Sequence, residues 1–107
     1  MLRDEAAKRN NAVMAGAAER LDRELEVCRQ EAYRAMEENG DLDKGLRARA
    51  AAIELAGRTT HAAVIAAAGA GNLMSHPAQR VYREALAFSV LALSPPIQEA
   101  ALRQLSE

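Results

Sequence analysis

The sequence predicts an all-α fold, an up-and-down helical bundle of about four helices with the last one short, in a single domain spanning all 107 residues. Three observations predict it. Ala supplies 25 positions, only three are Pro and β-branched residues are few, a balance that favours helix nearly everywhere. Apolar side chains recur at spacings of three and four, the period of one helix face. Turn residues interrupt that period at only a few places, and no repeat of 20 to 50 residues points to a solenoid.

From about Arg3 to Glu38 the stripe Val13, Met14, Ala17, Leu21, Leu25, Cys28, Ala32, Ala35 and Met36 predicts one long amphipathic helix of about 50 Å. Its other face, with Arg20, Asp22, Arg23, Glu24, Glu26, Arg29 and Glu31, reads as solvated. Asn39-Gly40-Asp41 supplies a stop, since Gly and Asn accept the left-handed cap conformation, and Asp41 or Asp43 is placed to cap the next helix. That helix runs from about Lys44 to Ala68, with Leu46, Ala50, Ile53, Gly57, Thr60, Val64 and Ala67 on one stripe. Beyond Arg58 it carries no formal charge, so burial on more than one side is expected. Gly69-Ala70-Gly71-Asn72 ends it. Ser75 as cap and Pro77 in the first turn start a third helix through Val81, Tyr82, Ala85, Phe88 and Val90 to about Leu93; Ser94-Pro95-Pro96 then opens the short last helix, Ile97 to Leu105.

Composition bounds function. Removing Ala leaves 28 larger apolar residues, a lean core. With two Tyr, one Phe and no Trp, stacking platforms for single-stranded nucleic acid are lacking, and a net charge of −1 is not the footprint of a nucleic-acid or anionic-membrane binder. A charged N-terminus and the absence of any long uncharged apolar run predict a soluble chain, and the single cysteine suits a cytoplasmic location.

No catalytic constellation emerges from spacing. Cys28 reads as a small core residue, and His61 as a hydrogen-bonded core or interface histidine. His61 and His76 lack any metal-ligand spacing. Glu37, Glu38, Asp41 and Asp43 form a solvated corner without a calcium-loop pattern, and Met14, Met36 and Met74 are expected as gap-fillers of core or interface. The glycine turn follows a helix rather than a strand, which supports neither a Rossmann fingerprint nor a P-loop.

One ordered set of landmarks does carry information. Gly69-Ala70-Gly71-Asn72, then Pro77, then Tyr82-Arg83-Glu84-Ala85, then Ile97-Gln98 resembles the C-terminal helical domain of acyl-CoA dehydrogenase-like flavoproteins. Upstream, Ala18-Glu19, the stripe through Met36 and the Asn39-Gly40 turn are similar to that domain's preceding long helix, so the resemblance spans roughly residues 11 to 105. It implies FAD as cofactor of the parent protein, with Gly69 and Gly71 allowing close approach of its adenosine diphosphate part, and a homo-oligomer as the working state. Ala92 stands where many members place a catalytic glutamate, and an alanine methyl abstracts no proton, so no catalytic residue is assigned here. Ile65 stands where the family has a flavin-holding Gln, so the chain alone is expected to bind flavin weakly or not at all.

The resemblance implies further flavoprotein domains as partners, namely an N-terminal helical domain, a central β-domain and one more long helix. The chain is accordingly expected to be a scaffold and subunit-contact domain of a flavin-dependent acyl-CoA oxidoreductase, inactive by itself. A flavin monooxygenase-like relative, favoured by Ala92, and a plain helical oligomerisation module remain as alternatives. Without the additional helix, Ala62, Ala66 and Phe88 are expected in or near a contact between copies.

Overall fold

The computed structural model describes residues 1–37, 42–91 and 93–107. Among them are five α-helices and no strand: α1 (Leu2–Arg9), α2 (Ala12–Glu37), α3 (Leu42–Ala67), α4 (Pro77–Val90) and α5 (Pro95–Ser106), with a 3-10 turn at Ala68–Asn72. No described helix is long and apolar enough to cross a membrane.

The long N-terminal helix is broken, a correction with a local cause. Asn10 takes the left-handed conformation (φ 51°, ψ 49°) that Asn tolerates better than most residues, and its N–H bonds back to Ala7 O. Asn11 then caps α2, its Oδ1 accepting from Val13 N at 3.0 Å and Met14 N at 3.2 Å. The break folds α1 back along α2, where Arg3 pairs with Asp22 and Ala6 is buried.

Other boundaries differ by a few residues. Asp43 lies inside the first turn of α3 and pairs with Arg47 rather than capping; Glu38, Asn39, Gly40 and Asp41 lie outside the described residues. His76, not Ser75, caps α4: its Nδ1 accepts from Ala78 N at 3.0 Å, with Pro77 in the first turn. That helix stops at Val90, three residues early, because Leu91 turns extended. Pro95, whose φ is preset for helix and whose missing donor costs nothing at N1, starts α5 two residues early.

The central element is α3, against which α1, α2, α4 and α5 all pack. It is buried on more than one side, as its pattern predicts: Ile53 meets Ala50 and Ala101 with Phe88, Ile97 and Ala100 around them, while Leu55 faces the cleft lined by Val27 and Cys28 of α2. A second cluster joins Ala63, Ala67 and Ala78 beneath Val64. Ile53 and Leu55 are the only described residues in the core larger than Ala. Alanine contacts let helix axes approach closely but remove little apolar area per residue.

The expected α2 stripe is covered only in part. Val13, Leu25 and Met36 are exposed at 82%, 47% and 71%, and Met74 is exposed too, so neither Met36 nor Met74 fills a gap within the chain. The surface totals 7435 Å², against about 5,800 Å² for a folded monomer of this mass. The radius of gyration, 15.3 Å, likewise exceeds the roughly 13 Å of a compact domain of this length.

Candidate functional site

Three regions gather the residues singled out by sequence. At the glycine turn, Gly69 and Gly71 differ in role. Gly71 is buried, and a Cβ there would lie 2.7 Å from the Val64 carbonyl oxygen and 3.2 Å from its Cγ1, so the missing side chain is used by the chain's own backbone. Gly69 faces open space, and Ile65 is exposed one turn earlier. The left-handed position of this turn is Ala68 (φ 57°) rather than a glycine. Arg83, one of the landmark residues, ties α4 to the segment after the turn by donating from Nη2 to Met74 O at 3.2 Å.

At the other end of α4, Ala92 lies outside the described residues. Its neighbour Leu91 is held by Arg49, whose Nη2 donates to the Leu91 carbonyl at 3.2 Å while the guanidinium lies 4.3 Å from the Phe88 ring centroid. This tether supplies a partner to a carbonyl at the helix end and stacks a cation on an aromatic face. Sequence reasoning missed Arg49: an arginine on a half-apolar helix carries no mark of a target 42 positions away.

Between α2 and α3, Cys28 is half-buried in a cleft beside Arg58 and Glu24. Arg58 Nη2 lies 3.1 Å from Glu24 Oε2 outside hydrogen-bond geometry, Nη1 donates to Oε1 at 3.3 Å, and Nε approaches Glu54 at 3.4 Å. The Glu24 hydrogen bond holds the guanidinium pKa above its ordinary value. Burial, helped by the Glu31 charge, pushes the Cys28 thiol up as well. The thiol form is thus favoured by folding, a contribution present below the ordinary thiol range and lost as pH rises through the raised value. Cys28 should therefore be alkylated by iodoacetamide more slowly in the folded chain than in urea at about pH 8, where an ordinary thiol is already partly ionised. Equal rates would contradict its placement.

The third region is a groove over α3 between α4 and α5, whose Cα atoms stay more than 8 Å apart. Ile53, Gly57 and Thr60 floor it; Tyr82, Leu86 and Leu105 wall it; its volume is about 270 Å³. His61 stands in its wall, exposed, and meets Tyr82 edge to face at a centroid distance of 5.4 Å instead of sitting in the core. No group of three or more His, Cys, Asp or Glu among the described residues is arranged to hold a metal ion. The groove is open, and its Leu86 and Leu105 walls are exposed apolar side chains. Comparison with protein-family models, curated proteins and solved structures finds no match to this chain.

Proposed function

We propose that the chain is a helical subunit-contact domain, non-catalytic alone, serving as the C-terminal scaffold of an acyl-CoA dehydrogenase-like, flavin-dependent oxidoreductase in the cytoplasm. The observation that carries the contact role is the open core: the only described core residues larger than Ala are Ile53 and Leu55, under a surface about 1,600 Å² larger than a monomer of this mass needs. A chain so arranged gains stability by covering apolar side chains with a partner. The flavoprotein part rests on the landmark order, and two local features suit it: a glycine turn that precedes α4, and an arginine, Arg83, bracing the segment between them.

One observation favours the plain oligomerisation module instead. Gly71 is accounted for by its contact with Val64, which leaves Gly69 alone to admit a cofactor. The nucleotide sequence upstream of Met1 separates the two readings: an in-frame segment encoding a β-domain and a second helical domain supports the flavoprotein, and an unrelated or absent frame overturns it. In either case titration of the 107-residue chain with FAD should leave the flavin fluorescence unchanged. Stoichiometric quenching would overturn the non-catalytic scaffold role.

A further inference from the structure

We infer that His76 is an acid-released catch: its neutral imidazole fastens the start of α4, and protonation lets go of the segment between the glycine turn and that helix. The catch is a single hydrogen bond, donated by Ala78 N to His76 Nδ1 at 3.0 Å. An imidazolium carries a proton on both ring nitrogens and accepts nothing, and its charge is unfavourable at a helix N-terminus. Protonation therefore removes the cap and opposes its return. Ala78, whose N–H loses its partner, is 1% exposed and packs in the cluster with Ala63 and Ala67. The device lies within one chain and is independent of the flavoprotein reading.

Apolar burial does little to hold this segment. Leu73 and Met74 are exposed at 58% and 65%, and the other ties are hydrogen bonds, from Leu73 N to Ala70 O, from His76 N to Leu73 O and from Arg83 Nη2 to Met74 O. The turn that feeds it keeps Ala68 at φ 57°, a conformation less favourable for alanine than for glycine, which favours release. Few charges surround the ring. On α4, Arg80 follows one turn on and approaches Glu84 at 3.8 Å, while Arg83 is committed to Met74 O. The 3-10 turn and α3 beyond Arg58 bring no charged side chain, and His61, the other imidazole, meets Tyr82. From α1, Glu5 is the carboxylate whose charge acts on His76. Arg9 Nε donates to Glu5 at 3.0 Å and Lys8 is close by, so the pull of Glu5 on an imidazolium offsets only part of the lost cap.

Thermal unfolding of the 107-residue chain at one concentration, compared at about pH 7.5 and about pH 5.5, tests the catch. Between these values an ordinary imidazole gains its proton, at about pH 6.5, while carboxylates stay ionised. Because the folded chain uses the neutral ring, the cap's stability is whole above that range and is lost as pH falls through it. The melting temperature should drop by about 3–6 °C toward acid, the effect of one typical cap in a domain of this size. His76→Asn, whose amide oxygen accepts at either pH, should reduce the drop to under about 1 °C, whereas His61→Gln should keep it whole. Glu5→Gln should enlarge the drop, since the imidazolium loses its carboxylate. The Ala78 amide resonance should titrate with the same midpoint as the His76 ring. A drop that persists in His76→Asn, or vanishes in His61→Gln or Glu5→Gln, overturns the proposal. So does a wild-type melting temperature equal at both pH values, or an Ala78 resonance indifferent to pH.

Discussion

Ile53→Ala is expected to remove about 2–5 kcal/mol of stability, the range for deleting a buried branched side chain that leaves a cavity. Ile53 is 7% exposed and, with Ala50 beside it on α3, packs against Ala101 of α5, with Phe88 and Ile97 closing the cluster. Neighbouring alanines have no spare reach with which to collapse into the gap. Set against the roughly 5–15 kcal/mol that holds a typical domain, this loss leaves much of the population unfolded at moderate temperature. The urea midpoint measures it. Val13→Ala, at 82% exposure, serves as the comparison and should fall within about 0.5 kcal/mol of wild type. A loss below about 1 kcal/mol for Ile53→Ala would contradict the placement of this residue at the centre of the packing.

The second large effect concerns the glycine turn. Gly71→Ala brings a Cβ to 2.7 Å from the Val64 carbonyl, and because that atom is backbone, the turn must move. A cost of about 1–3 kcal/mol is expected, as for other overpacked sites. In a domain of this size each kcal/mol lowers the melting temperature by roughly 4–8 °C. Gly45→Ala has the opposite sign: the site lies within α3, an added Cβ meets nothing within 4 Å, and helix preference alone should add about 0.5–1 kcal/mol. Thermal unfolding of the two variants is a direct comparison. If the glycine at 71 served only the approach of a cofactor, Gly71→Ala would leave the isolated chain's stability unchanged.

Much of this architecture is legible in the sequence because helix signals are local. Pro77 and Pro95 fix the starts of two helices, and the nearly uncharged second half of α3 announces its central position. The Asn10–Asn11 break was also written locally, in two adjacent residues suited to ending one helix and capping the next. The apolar stripe begins only at Val13, and the charged, Ala-containing segment before it reads as more of the same helix, since periodicity does not record a reversal of the chain. What periodicity could not convey is which stripe finds a partner. Leu25 and Met36 have the spacing of core residues, yet α3 is too narrow a surface to cover the whole stripe of α2, and they stay in water. The Arg49 tether to Leu91 and the groove itself belong to tertiary packing: neither has a signature in any window of neighbouring residues.

In the proposed contact role, the open core around Ile53 and Leu55 is completed by a partner copy. Thermal unfolding followed by far-ultraviolet circular dichroism, repeated across a hundredfold range of chain concentration, reads this out, because association stabilises only the folded state and does so by mass action. The melting temperature is expected to climb with concentration. A cooperative transition at one temperature throughout that range, from a fully helical monomer, would show that α1 to α5 suffice for their own core and would contradict it.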